Sequence, residues 1–213
     1  MLVRQVAYDI YARSMQKSIA GEPVPRCIAL VISDADLVDD RAIAKLTELA
    51  GWSAELHVGE IFIYVSITET SIVVTLTESI RDTFAHAGFP AKIVSPDMVA
   101  EIKGDRPCKV NISIGFGGKH ELTNALREIM DMVKAGKIKP SDIDEAMVES
   151  HLVFRSEPDL FIRTGEERLS DFLIWQSVYS ELYFTDVNWE NFRKIDLLRA
   201  IRDYQYRQRR FGK

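Results

Sequence analysis

The sequence contains little cysteine and histidine and no long uncharged apolar run. Its two cysteines, Cys27 and Cys108, are far apart and join no cluster of the four histidines, so the sequence predicts neither a disulfide framework nor a zinc site. No apolar stretch approaches the roughly 18 residues that a bilayer-spanning helix requires. Residues 1–16 also lack the apolar region and cleavage site of a signal peptide. We therefore expect a cytoplasmic protein without a transmembrane segment.

The sequence also lacks an excess of basic residues. The chain has 27 Lys and Arg against 32 Asp and Glu, a formal net charge of -5 and a pI near 5.5. Broad binding to nucleic acid is therefore not expected. Any affinity for phosphate groups must come from local clusters of arginine.

The first residues predict an amphipathic helix, whose polar side carries Arg4, Asp9, Arg13 and Lys17. Such a helix can pack against its own domain or a partner, and it can also lie on a membrane surface. The charges fit both arrangements. We favour packing and keep a peripheral position at the membrane surface as the alternative.

Apolar runs and helical patterns alternate along the chain. A length of 213 residues with 46% hydrophobic content supports one sizeable core, so we expect a single domain over residues 1–213. Residues 1–25 form its N-terminal helix and linker, and residues 205–213 form a C-terminal tail. The pattern predicts an α/β fold with a central, mostly parallel sheet flanked by helices. The predicted strands are 27–32, 61–67, 91–94, 109–114 and 159–162, and the predicted helices are 40–50, 71–87, 119–134, 172–179 and 195–210.

Two arginines and a serine lie between a predicted strand and a predicted helix in residues 158–186. Arg163, Arg168 and Ser170 are all able to donate hydrogen bonds to phosphate oxygens. The N-terminus of the following helix adds free N–H groups and partial positive charge. This spacing predicts a diphosphate-binding turn. The alternative is a pair of solvated arginines beside an ordinary helix cap at Ser170.

This stretch, PDLFIRTGEERLSDFLIWQSVYSELYFTD, resembles the C-terminal signature of the cis-prenyltransferases, the undecaprenyl and dehydrodolichyl diphosphate synthases. The family pattern is RTxGExRxS, then a tryptophan-glutamine pair, YxE and YFTD. The resemblance implies that Arg163, Arg168 and Ser170 hold isopentenyl diphosphate. It also implies that Glu181 lies near a magnesium diphosphate at a dimer interface. The turn from Arg163 to Arg168 is one residue shorter than the family's usual spacing.

The chain's last residues also match this family. Arg210 and Gly212 correspond to an RxG motif that reaches the partner's active site in the dimer, which implies a role in trans. An arginine supplies a fork for diphosphate, and glycine permits close backbone approach. Without the resemblance, Arg210 and the arginines just before it would complement the negative end of a helix dipole, and Gly212 would cap that helix.

The family's allylic-diphosphate motif, DGNxR, is missing after the first strand. Ser33 stands at its aspartate, Asp34 at a glycine, Ala35 at the asparagine and Leu37 at the arginine. Asp34 or Asp36 would then have to bind Mg²⁺, or both belong to a polar turn that caps the next helix. After a later strand, Gly117 and Gly118 remain from a family glycine motif. They fit phosphate binding or a plain helix start.

A lost allylic motif and a retained RxG tail resemble the accessory, Nogo-B-receptor-like subunit of heteromeric cis-prenyltransferases. The resemblance implies a heterodimer or heterotetramer with a catalytic paralogue. That complex would use Mg²⁺ to condense isopentenyl diphosphate onto an allylic diphosphate, giving a polyprenyl diphosphate that carries glycans. Whether the isolated chain forms a homodimer is left open by the sequence. The alternatives are a self-sufficient homodimeric enzyme with an atypical metal site and a non-catalytic scaffold. The aromatic segment 175–186 is the predicted interface.

Overall fold

The computed structural model describes residues 2–165 and 171–207. Its helices are α1 (Leu2–Ile19), α2 (Asp40–Glu55), α3 (Val73–Ala87), α4 (Gly118–Lys134), α5 (Glu145–Ser150) and α6 (Lys194–Tyr206). Its strands are β1 (Cys27–Ser33), β2 (Glu60–Ser66), β3 (Ala91–Ser95), β4 (Met98–Ile102), β5 (Lys109–Ile114), β6 (Leu160–Thr164) and β7 (Glu181–Thr185).

The seven strands of the described residues form one sheet in the order β4-β3-β5-β2-β1-β6-β7. Only the β3–β4 hairpin is antiparallel, and the remaining pairs are parallel. The predicted α/β domain with a central, mostly parallel sheet is therefore confirmed. Because the parallel strands run the same way, their carboxyl ends share one edge, where α/β folds bind ligands.

Helices and loops cover both faces of the sheet, which explains why β1 reads as an unbroken apolar run. Its even-numbered residues, including Leu30 and Ile32, enter a large core with α1, α2, α3 and α6. Its odd-numbered residues, including Ala29 and Val31, enter a smaller aromatic core with Phe62 and Phe154. Burying each large aliphatic side chain contributes about 2 kcal/mol, so both faces stabilise the central strands.

The N-terminal helix packs against the domain. Met15 and Ile19 of α1 are buried in the large core, and the side-chain amide of Gln205 in α6 donates to the carbonyl of Ile19 at 3.1 Å. These contacts agree with the packing that we favoured for this helix. Within residues 2–165 and 171–207, no helix is both long and apolar enough to cross a bilayer.

The predicted helix 172–179 is wrong. Residues 172–179 form successive turns, and Leu173 has a φ of 52°, a left-handed value through which an α-helix does not continue. Leu173 is fully buried in the aromatic core, so tertiary packing overrides the helical spacing. Strands β4 and β7 and helix α5 were not predicted, and α6 ends at Tyr206 rather than at residue 210.

Candidate diphosphate site at the carboxyl edge of the sheet

Arg163 lies near the carboxyl end of β6. It pairs with Val31 of β1, which pairs in turn with Tyr64 of β2, so the three side chains lie in one row on the aromatic face. Burial raises the pKa of Tyr64 to about 12, and the charge of Asp171 adds to this rise while Arg163 opposes it. The charges of Arg163 and Asp171 therefore both act on this phenol. The other two predicted contacts, Arg168 and Ser170, lie outside the described residues, and their role stays a prediction.

The glycine pair of α4 packs against residue 171. The N–H of Gly118 donates to the carbonyl of Asp171 at 2.8 Å. A Cβ atom added to Gly117 would lie 2.6 Å from a carboxylate oxygen of Asp171, and one added to Gly118 would lie 2.3 Å from its carbonyl oxygen. Asp171 thus occupies the N-terminus of α4, where negative charge is favourable. This contact explains both glycines structurally, and their predicted binding of substrate remains untested.

The end of β1 is closed by hydrogen bonds to Asp34. Its carboxylate is buried and accepts from the N–H of Thr68 at 2.7 Å, the hydroxyl of Thr68, and the N–H groups of Glu69 and Ala35. Burial alone would raise the pKa of Asp34, but these hydrogen bonds outweigh it and lower the pKa below its usual value. The carboxylate therefore ties β1 to the loop after β2.

The neighbouring residues complete a polar turn. Asp36 accepts from the N–H and hydroxyl of Ser33 at 2.9 and 2.8 Å, and Leu37 is buried in the large core. These contacts agree with the turn-and-cap interpretation. They do not suit Mg²⁺, because protein donors already use both oxygens of Asp34 and one of Asp36. Nowhere in the described ranges do three His, Cys, Asp or Glu side chains gather as metal ligands.

Glu181 lies at the opposite edge of the sheet. It is the first residue of β7 and pairs with Leu160, the first residue of β6, whereas Arg163 lies near the other end of that strand. Its carboxylate faces Arg207 at 3.5 Å. One chain therefore does not bring Glu181 to Arg163. Its predicted place near magnesium at a dimer interface requires a second chain and remains a prediction, as does the role of Arg210 and Gly212, which lie outside the described residues.

Comparison with known proteins decides the family. A family model described as "Putative undecaprenyl diphosphate synthase" matches residues 91–212, more than half of the chain. A tritrans,polycis-undecaprenyl-diphosphate synthase (geranylgeranyl-diphosphate specific) from Picrophilus torridus is 36% identical over 245 residues, covering 95% of this chain and 96% of the relative. The chain belongs to the undecaprenyl diphosphate synthase family.

Other members of this family differ in how much of the chain they match. A synthase of the same name from Methanocaldococcus jannaschii is 56% identical over 109 residues, which cover 49% of this chain and 39% of the relative. That match spans about two fifths of the relative's length. The Picrophilus alignment of 245 residues exceeds the 213 residues of this chain, so that relative contains residues without a counterpart here.

The fold of this family also appears among solved structures. Lavandulyl diphosphate synthase from Lavandula x intermedia, crystallised with dimethylallyl diphosphate, superimposes with a TM-score of 0.74. The comparison covers 92% of this chain and 100% of that one at 22% identity. At this identity the likeness establishes the shared fold alone.

A buried polar network, which the sequence did not reveal, supports the site in this family member. Glu121 of α4 accepts from the N–H of Phe154 at 2.8 Å and from the side-chain amide of Gln176 at 3.2 Å. The same amide donates to the carbonyl of Phe154 at 2.7 Å. Gln176 belongs to the tryptophan-glutamine pair in the family signature. That pair was the feature of the sequence that could have pointed to this network. The network joins α4 to the segment that carries Asp171.

Replacing Glu121 with glutamine should change how stability depends on pH. Burial raises the pKa of Glu121, although hydrogen bonds from Phe154 and Gln176 oppose it. A carboxyl with a raised folded pKa stabilises fully below its unfolded pKa, about 4.3, and this contribution is lost as pH rises through the folded pKa. Glutamine does not titrate. Urea unfolding should therefore show Glu121→Gln gaining stability relative to wild type between pH 4 and pH 8.

The matched control is Glu128→Gln, which changes an exposed carboxylate two turns further along α4. It should show a much smaller relative change over the same pH range. Equal pH dependence of wild type and Glu121→Gln would contradict the burial of this carboxyl.

Proposed function

We propose that the chain is an accessory subunit of a heteromeric cis-prenyltransferase. Its partner would be a family member that retains DGNxR, and the complex would condense isopentenyl diphosphate onto an allylic diphosphate. The observation that carries this proposal is the saturated carboxylate of Asp34 at the end of β1. A carboxylate held by four protein groups serves the fold and has little left for a ligand.

The chemistry of allylic transfer explains why this matters. As the allylic C–O bond breaks, negative charge grows on the leaving diphosphate, and preorganised cations and N–H donors must stabilise it. Residues 33–37, Ser-Asp-Ala-Asp-Leu, contain no cationic side chain. Their two carboxylates would repel the leaving group. The partner would therefore supply the allylic site and hold the Mg²⁺.

The chain would contribute cations to the shared reaction. In this proposal Arg163 faces isopentenyl diphosphate together with Arg168 and Ser170, and Arg210 and Gly212 of the tail act in trans at the partner's site. Arg163 already lies at the carboxyl edge, in the same row of side chains as Val31 and Tyr64. An arginine fork there can bind two diphosphate oxygens at once. The location that suits this role is the cytoplasm, with a peripheral position at the membrane where a polyprenyl product would reside.

The interface would use β7 and the turns before it. β7 is the last strand at its edge of the sheet, and an exposed edge strand offers unpaired backbone groups to another chain. Several large apolar side chains nearby are exposed to solvent: Ile174 at 40%, Val178 at 68%, Tyr179 at 56% and Phe184 at 38%. Such a surface fits a heterodimer or heterotetramer, and it also fits a homodimer of the isolated chain.

A self-sufficient homodimeric synthase is the second candidate. The relatives that align over nearly the whole chain are named tritrans,polycis-undecaprenyl-diphosphate synthase or isoprenyl transferase, which supports this candidate better than the accessory role. The geometry of Asp34 favours the accessory role. A third candidate is a scaffold that stabilises a catalytic partner without donating residues. The three make different predictions for the same assay.

The assay measures incorporation of labelled isopentenyl diphosphate into polyprenyl product. We expect little product from the chain alone and robust product when it is mixed with a family member that retains DGNxR, in the presence of allylic primer and Mg²⁺. In the mixture, Arg210→Ala should lower kcat about a hundredfold, as expected when one donor to a developing anion is lost. Arg81→Ala is the matched control, because it removes a half-exposed arginine side chain of α3, and it should leave kcat unchanged.

The other outcomes decide between the alternatives. Robust product from the isolated chain would reject the accessory role and establish a self-sufficient enzyme. Activity in the mixture that survives removal of residues 210–213 would identify a scaffold.

A further inference from the structure

A cavity of about 530 Å³ opens at the amino edge of the sheet, opposite the carboxyl-edge site. Its lining includes the cations Lys92, Lys109 and Arg155, the carboxylates Glu60 and Glu128, and the apolar side chains Phe62 and Val99. We call it the amino-edge cavity. Neither the family resemblance nor the proposed function assigns it a role.

Two cations of this cavity have no carboxylate partner among the described residues. Lys92 donates to the carbonyl of Val153 at 2.9 Å, and Arg155 donates to the carbonyl of Ser150 at 2.6 Å. Lys109, by contrast, is paired with Glu60 at 3.0 Å. A carbonyl satisfies a hydrogen bond but leaves the positive charge unneutralised. The chain as a whole has a net charge of -5, so affinity for an anion must come from local cations such as these.

The charges around Lys92 are mixed. Burial lowers the pKa of Lys92 most, Glu101 and Glu121 raise it, and the positive charges of Lys109 and Arg155 lower it by less than the two carboxylates raise it. A bound anion would offset the cost of burying this charge. An anionic ligand in the cavity would therefore stabilise the charged form of Lys92.

The wall of the cavity is held in place before any ligand binds. Phe154 is fixed through its N–H by Glu121 and through its carbonyl by Gln176. Its ring meets Phe62 edge-on with centroids 5.4 Å apart, and Lys92 lies 5.7 Å from its centroid. A fixed wall reduces the entropy lost on binding. Phe62 and Val99 add apolar lining beside the cations.

We propose that the amino-edge cavity binds a small organic phosphate, with its phosphate between Lys92 and Arg155 and its apolar body against Phe62 and Val99. A guanidinium and an ammonium are the usual protein partners of phosphate oxygens. The apolar lining distinguishes this ligand class from free phosphate. The cavity lies toward the amino ends of the strands, whereas Arg163 lies near the carboxyl end of β6, so this binding is separate from that of the reacting diphosphates.

Amide chemical shifts of the ¹⁵N-labelled full chain test the proposal with two probes, phenyl phosphate and inorganic phosphate. We expect saturable shifts at the amides of residues 152–156 with both probes, and tighter binding of phenyl phosphate because its ring adds apolar contact. Lys92→Met, which keeps the length of the side chain, should weaken phenyl phosphate binding there about tenfold. Lys134→Met at the exposed end of α4 is the matched control and should leave the affinity unchanged.

Arg155→Gln gives a second test at an exposed position, in case Lys92→Met fails to fold. It should also weaken binding about tenfold. Shifts confined to residues 117–118 and 163–165 would overturn the proposal, because the probes would then bind only at the carboxyl edge. Unchanged affinity in both folded variants would overturn it as well.

Discussion

Replacing Asp34 with asparagine will lower the free energy of unfolding by about 2 to 3 kcal/mol at neutral pH. The buried carboxylate accepts hydrogen bonds from Thr68, Glu69 and Ala35. Asparagine keeps the shape but turns an NH₂ group toward these donors, so at least one N–H or O–H loses its acceptor. Urea unfolding of both proteins at pH 7 measures the difference.

The loss should disappear at low pH. Since the hydrogen bonds outweigh burial and lower the folded pKa of Asp34, its contribution is present above the unfolded pKa of about 3.9. It is lost as pH falls through the folded value. The stabilities of wild type and Asp34→Asn should therefore approach each other below pH 4.

Asp97→Asn is the matched control, because Asp97 is exposed in the turn between β3 and β4. It should change stability by less than about 0.5 kcal/mol. A fully stable Asp34→Asn variant would mean that Asp34 does not tie β1 to the loop after β2. The carboxylate would then be available for a metal, which would favour the self-sufficient enzyme.

The central strands are predictable from the sequence because burial on both faces leaves a simple signal. Residues 27–32 are continuously apolar, and β1 spans Cys27–Ser33. The prediction for β5 matches Lys109–Ile114 at both ends. The edge strand β7 lacks this signal. Its residues are largely half-buried, so their pattern does not separate a strand from an interface loop.

The candidate site is less predictable because its decisive contacts join residues far apart in sequence. Ser33 to Leu37 predict a polar turn from their own composition. They do not reveal that Asp34 faces Thr68, 34 positions away. Glu121 likewise meets Gln176, 55 positions away. A local sequence pattern shows which residue types are present. Hydrogen-bond partners that are distant in sequence depend on how β1, β2 and α4 are placed in the fold.

Residues 172–179 show the same limit for the backbone. Phe172, Leu173 and Gln176 are buried, and this spacing fits one side of a helix. The spacing does not report the left-handed φ of Leu173. That conformation accompanies the close approach of this segment to Gly118, which no local sequence pattern contains.

This close approach predicts that Gly118→Ala strongly lowers the free energy of unfolding. Helix propensity alone would predict that the same substitution raises it. At a solvent-exposed helix position, replacing glycine with alanine stabilises the helix by about 1 kcal/mol. Here the added methyl group would lie 2.3 Å from the carbonyl oxygen of Asp171 and 3.0 Å from the nitrogen of Ile174. Both are backbone atoms, so relief requires the segment to move away from α4. We expect the free energy of unfolding to fall by about 3 kcal/mol.

The displacement should also change function, since Asp171 and Gln176 both belong to the moving segment. In the mixed prenyl transfer assay, Gly118→Ala should lower product formation together with stability. Gly21→Ala is the matched control, because no atom of the described part of the chain lies within 4 Å of its added Cβ. Its stability should stay within about 0.5 kcal/mol of wild type. If Gly118→Ala is as stable as wild type, the segment does not press against α4, and Asp171 does not occupy the N-terminus of that helix.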